Sequence, residues 1–247
     1  MELIEKQNIT KSQAYWDLVA DVLSQAITGE LIGMSNFASL AETIDDIGEK
    51  MESVEHADSE RAHAEGFMEV AKKYHLPINA NINGSYWKRV REVFLKWAGK
   101  KDFIACLLIQ EVMLESMAVS MYKDVGEKLP ADIGNLFLEI SKEEEHHLEH
   151  SIGLLQEALQ SDPNAFIAKA EEVHYDCMTI LAEMSAKKDL KGHCEVCQGS
   201  CMKENLPLAE LDIRNIRGNS MNLYMKSLDR IGLPTEKTTI WMANLPA

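Results

Sequence analysis

Proline is scarce in this 247-residue chain, with six residues, and glycine is modest at thirteen. Obligatory breaks in secondary structure are therefore few, and the composition is not that of a linker or a low-complexity segment. Bases are also in short supply: 25 Lys and Arg stand against 40 Asp and Glu, a formal net charge of −15. Phosphate binding needs clustered cations, so nucleic acid is excluded as an expected partner. Cysteine occurs five times, as Cys106, Cys177, Cys194, Cys197 and Cys201. The start of the chain shows no basic segment followed by an apolar stretch, so no secretion signal is expected. A cytoplasmic location follows as the default, and with it no disulfide framework. No uninterrupted apolar run approaches the roughly 18 residues of a membrane span, so no transmembrane segment is expected. What is abundant is apolar side chain, 46% of the residues. That suffices for a sizeable core, and we read residues 1–247 as a single domain.

The texture is helical nearly throughout, rich in Ala, Leu, Glu, Lys and Met with a 3.6-residue apolar rhythm. The pattern predicts helices over about 12–46, 50–75, 85–98, 102–123, 130–160, 164–188 and 207–231, the last followed by a short tail. Asn79 to Gly84 reads as a turn, and the segment near 190–206 as a Cys-rich loop. No tandem repeat is present. The predicted fold class is all-α, a four-helix bundle with additional helices.

The informative residues are acids and histidines where the rhythm calls for apolar side chains. One face of the first helix runs Leu23, Ile27, Glu30, Met34, Phe37. In the second helix Glu60 and His63 share a face with Phe67 and Val70. The third long helix aligns Ile104, Leu108, Glu111, Glu115, Ala118 and Tyr122, and the fourth Phe137, Ile140, Glu144, His147, Ser151 and Leu154. A competing frame, Glu143 with His146, runs through Glu139 and His150 and reads as a solvated surface. Four glutamates and two histidines cannot be buried uncompensated, because an isolated buried charge costs many kcal/mol. Metal ions supply the compensation. The order is Glu, Glu-x-x-His, Glu, Glu-x-x-His, with 30 residues from Glu30 to Glu60 and 29 from Glu115 to Glu144. This is the ligand plan of a carboxylate-bridged di-iron or di-manganese bundle, and carboxylate with imidazole suits iron or manganese. The predicted ligands are Glu30, Glu60, His63, Glu115, Glu144 and His147.

The stretches CLLIQEVMLESMAVSMY (106–122), EISKEEEHHLEH (139–150) and SERAHAEGFM (59–68) resemble the cyanobacterial aldehyde-deformylating oxygenases, formerly called aldehyde decarbonylases. ITGE (27–30), SLAE (39–42) and YMKSLDRIGLPTEKTTIWMA (224–243) extend the likeness, which is weakest across 155–220. The resemblance implies a ferritin-like fold holding two Fe ions. It implies conversion of long-chain fatty aldehydes to alkanes one carbon shorter plus formate. O2 would be co-substrate, with electrons from a donor such as ferredoxin and its reductase. The family's six ligands fall on the set already reached, and the resemblance adds Gln110 and Tyr122 as polar residues at the centre. Two positions depart from the pattern: Phe37 stands where the family has a tyrosine, and Ala71 where it often has a cysteine.

Several features admit more than one reading. Ile27, Met34, Phe37, Phe67, Leu108 and Met117 line a tunnel for an alkyl chain, or are core. Glu111 is a group behind the metal ligands, or lies on the surface. His193, Cys194, Cys197 and Cys201 hold a second kind of metal site, or form a metal-free reduced loop. Cys106 and Cys177 read as core. Lys88, Arg89, Arg91, Lys96, Lys100 and Lys101 form a basic island, either a docking patch for an acidic electron donor or a solvated helix. The competing functions are a ferritin-like oxygenase acting on a different small substrate (N- or C-oxygenation), an iron-storage or peroxide-removing bundle, and a non-catalytic helical protein.

Overall fold

The computed structural model describes residues 11–186 and 203–246. The loop residues His193, Cys194, Cys197 and Cys201 lie outside the described residues. Every described element is helical: α1 (Gln13–Leu40), α2 (Ile47–Lys73), α3 (Ser85–Gly99), α4 (Phe103–Gly126), α5 (Ala131–Ser161), α6 (Pro163–Ala186), α7 (Ile213–Ile231) and α8 (Thr235–Ala243). Short 3-10 turns occupy Ala41–Thr43 and Lys203–Ala209.

Helix starts follow side-chain capping, which satisfies otherwise orphaned backbone N–H groups. Ser12, Asp46, Asp102 and Asp212 each accept a backbone N–H two or three residues on. Asp46 explains why the chain breaks after Leu40 and restarts at Ile47, where the sequence predicted one helix to residue 46 and another from 50. At the other end, Gly232 closes α7 in the left-handed conformation, φ 102°, a region costly for residues with a Cβ. The segment beyond it was expected to be a tail. It forms α8 instead, because Trp241 buries its ring beside His174 of α6.

The bundle consists of α1 packed on α2 and α4 packed on α5, with α3, α6, α7 and α8 laid around that core. Two apolar clusters sit at opposite ends of it. One gathers Phe37, Leu108, Val112, Leu148 and Trp97, and the other Leu23, Ile27, Phe67, Tyr122 and Phe137. Cys106 and Cys177 are buried in the first, as expected of small apolar residues. Helix α4 is long and apolar enough to cross a membrane by length and composition, although it contains no uninterrupted apolar run of that length. The expectation counted uninterrupted runs, whereas α4 embeds isolated polar residues in apolar surroundings. Of its most apolar window, 72% is buried inside the protein. A central bundle helix acquires that composition because other helices cover it on every side.

The buried face of α2 is unlike that of its neighbours. Before Phe67 it consists of Ser53, His56, Glu60, His63 and Ala64, so this helix brings polar groups, not apolar ones, into the interior.

Candidate metal centre

The six ligands predicted from periodicity are all buried, each between 1% and 7% exposed. They meet in the middle of the bundle, in two overlapping groups. Glu30, Glu60, His63 and Glu144 present one ligand atom each within 4.8 Å of one another, and so do Glu60, Glu115, Glu144 and His147. Glu60 and Glu144 belong to both groups. One residue comes from α1, one from α4, and a Glu-x-x-His pair from each of α2 and α5, so each helix pair contributes three.

His63 is aimed from behind. His63 turns Nδ1 toward Glu30 Oε2 at 3.1 Å and Glu144 Oε1 at 3.0 Å, while Glu143 Oε2 lies 2.9 Å from its Nε2. Glu143, on the face expected to be plain surface, therefore fixes the ring of a ligand from outside. A carboxylate on the outer nitrogen is the usual support for a metal-binding imidazole. His147 Nδ1 lies 2.9 Å from Glu144 Oε2, yet both atoms lack a hydrogen bond of proper geometry, as does Glu60 Oε1. Buried polar atoms left unpaired cost about 1–3 kcal/mol each. Orphans that all face one point fit a site made for cations.

Charge balance gives the same result. Burial pushes the Glu60 carboxyl well above the ordinary range, and the charges of Glu144, Glu30 and Glu115 push it further. Glu115 is raised chiefly by burial and by Glu144. Burial alone would raise Glu144 and lower His63. The two histidines instead bring Glu144 down to about 2, and the carboxylates of Glu144 and Glu30 hold His63 up at about 11. Protons thus neutralise a cluster too acidic to stay charged alone, and metal ions would displace them.

Gln110 and Tyr122 both act on ligand carboxylates. Tyr122 donates its hydroxyl to Glu30, and burial raises its pKa, followed by the nearby Glu30 charge. Gln110 Nε2 donates to Glu115 Oε1 at 2.9 Å. That reach spans five residues, which an α-helix would place on different faces. It exists because Leu108–Leu114 winds as a π-helix, with its longer turn. The same winding separates Glu111 from Glu115: Glu115 enters the centre, whereas Glu111 points to His56, with Oε1 3.8 Å from Nδ1. Glu111 is 2% exposed, so its surface reading is overturned.

Sequence reasoning missed the chain behind Gln110. Asn36 Nδ2 donates to Gln110 Oε1 at 2.7 Å, and Arg91 donates to Asn36 Oδ1 at 2.8 Å and to Ser35 Oγ at 2.7 Å. Arg91 is therefore turned inward and not offered to a partner. Arg89 pairs with Glu183 and Lys96 with Asp176, so the basic island is largely neutralised by the protein's own acids. The docking-patch reading loses its main residues. Asn36 carried a signal of its own, an amide on the apolar face beside Phe37. Arg91 carried none.

Phe37 lies fully buried with its ring edge-on to His56 and His147, at 5.0 and 5.9 Å between centroids. At the opposite end Phe67 packs against Tyr122 and Phe137. Ala71 is buried in that second cluster. Of the six expected tunnel residues, Ile27 and Phe67 fall on one side and Phe37, Leu108 and Met117 on the other.

Comparison with known proteins fits this architecture. Residues 12–191 match the family described as long-chain fatty aldehyde decarbonylase. The chain belongs to that family. Among solved structures, it is similar to a protein with aldehyde deformylating oxidase activity from Synechococcus, with a TM-score of 0.75 and 16% identity, over 94% of this chain and 97% of that one. The likeness establishes the ferritin-like helical fold. Members of the decarbonylase family are enzymes, and the carboxylate and imidazole groups described above fit a di-iron site.

Proposed function

We propose that Glu30, Glu60, His63, Glu115, Glu144 and His147 hold two iron ions, and that the protein converts a long-chain fatty aldehyde to the alkane one carbon shorter plus formate. Family membership supports the reaction, and the observation that carries the site is the double convergence on Glu60 and Glu144. Reduced iron supplies the activation of O2, with electrons from an external donor such as ferredoxin with its reductase. Manganese fits the same donor set.

The chain's own residues hold that chemistry in place. Glu60 and Glu144, common to the two groups, would be within reach of both ions. Tyr122 keeps Glu30 turned inward, and Gln110 does the same for Glu115. Both are positioning residues in this reading. Phe37 and Phe67 wall the two ends with apolar surface, which excludes water and suits an alkyl chain.

The test is product formation by the full chain loaded anaerobically with Fe(II). Addition of octadecanal, O2 and a chemical reducing system should give heptadecane and formate in wild type and neither in Glu144→Gln. Bound iron without alkane across several aldehydes would overturn the substrate assignment and leave an oxygenase of another small molecule.

A further inference from the structure

Beside the dimetal centre lies a third convergence of imidazole and carboxylate. Glu52, His56 and His150 each present a ligand atom within 4.8 Å of the others. His56 Nε2 is 3.4 Å from Glu52 Oε1, one turn back on α2. His150 reaches across from α5, with Glu49 Oε2 3.4 Å from its Nε2. From α4, Glu111 closes the inner side. Thus three helices bring two imidazoles and three carboxylates to one place.

Apolar packing does not account for this group. His56 and Glu111 are 7% and 2% exposed. His56 Nδ1, His150 Nδ1 and Glu111 Oε2 are buried without a hydrogen-bond partner, each at a cost of about 1–3 kcal/mol. Such groups persist where something else satisfies them. The His56 ring also stacks on that of His147, 4.0 Å between centroids, which ties the cluster to the dimetal centre. Its other side opens outward: the Glu52 and His150 side chains are 45% and 32% exposed.

We infer that Glu52, His56 and His150, with Glu49 and Glu111 beside them, form a third divalent-cation site on the solvent side of the dimetal centre. Two imidazoles with carboxylates and no thiolate select an ion of the Fe(II), Mn(II), Co(II) or Zn(II) class over Ca(II) or Mg(II). An ion there lies between solvent and His147.

The test uses the full chain, stripped by chelator and equilibrated with Co(II) by anaerobic dialysis. The double variant Glu52→Gln/His150→Asn should bind one ion fewer per chain than wild type. Both substituted side chains are partly exposed, so the fold should survive, as circular dichroism will report. Each single variant serves as the second measurement, with at least tenfold weaker binding of one ion. Glu60→Gln/Glu144→Gln should retain the one ion that the other double variant loses. The same number of ions in wild type and in Glu52→Gln/His150→Asn would overturn the proposal. A full complement in Glu60→Gln/Glu144→Gln would instead overturn the dimetal reading and leave this one standing.

Discussion

Gly33 stands in the middle of α1, where alanine would favour the helix by about 1 kcal/mol. The structure gives the reason for the glycine. A Cβ at this position would meet Glu60 Oε2 at 2.7 Å, Cδ at 2.8 Å and Oε1 at 3.1 Å. Ordinary carbon contacts begin near 3.5 Å, so Gly33→Ala must move the Glu60 carboxylate by roughly 0.7 Å or more. The carboxylate is the end of a flexible side chain and can give way, so the backbone should hold. Metal–ligand distances in a well-formed site lie within about 0.2 Å of their usual values, and Glu60 belongs to both candidate groups. Disturbing a ligand's support typically costs about tenfold to a hundredfold in metal affinity, or about 1.4–2.7 kcal/mol. The variant should therefore show opposite signs in two assays. Metal-free Gly33→Ala should melt at or above the wild-type temperature, while anaerobic Co(II) titration shows both central ions bound more weakly. Wild-type affinity in the variant would refute the reasoning. So would a metal-free protein that melts well below wild type, since the strain would then lie in the backbone.

Tyr122→Phe removes the hydroxyl that Glu30 accepts from; hydrogen bonds to charged groups are worth about 1.5–3 kcal/mol, so central metal binding should weaken at least tenfold in the same titration. Asn36→Ala cuts the connection from Arg91 to Gln110; kcat should fall by about tenfold while both central ions still bind, as read by turnover and metal analysis together. His174 is fully buried against Tyr224, and burial lowers its pKa to about 4. The unfolded chain, near the ordinary 6.5, takes up the proton first, so this stability is present above pH 6.5 and is lost as pH falls toward 4. Urea unfolding of the metal-free protein should show wild type losing about 2 kcal/mol more than His174→Phe between pH 7 and pH 5.

The six candidate ligands stood out in the sequence because acids among buried helix positions must be compensated, and cations do that best. Glu30, Glu115 and the Glu144/His147 pair interrupt runs of core positions, Glu60 and His63 share a face with Phe67, and the structure buries all six. The surroundings were less legible, for reasons that differ by residue. Glu111 and Glu115 sit four apart and look equivalent on an α-helical frame; only the π-helical winding of Leu108–Leu114 parts them. Nothing in the local sequence announces that winding. Gly33 carries no local signal of its role, which appears only when Glu60 arrives from another helix. Glu143 and His150 followed the solvated frame by periodicity. Long side chains at the edge of a helix face can still turn inward when a partner waits there, as His63 does for Glu143. The segment after Gly232 looked too short for structure of its own, yet buried Trp241 and Thr238, with Met242 packed beside the core, dock it as a helix.

The central claim is that the six buried side chains hold a coupled pair of ions. Mössbauer spectroscopy of the full chain, loaded anaerobically with isotopically enriched Fe(II) and then exposed to O2, addresses it most directly. The oxidised iron of the centre should be an antiferromagnetically coupled diferric pair, absent from Glu60→Gln/Glu144→Gln. Only isolated, magnetically independent ferric ions in the wild-type protein would contradict it.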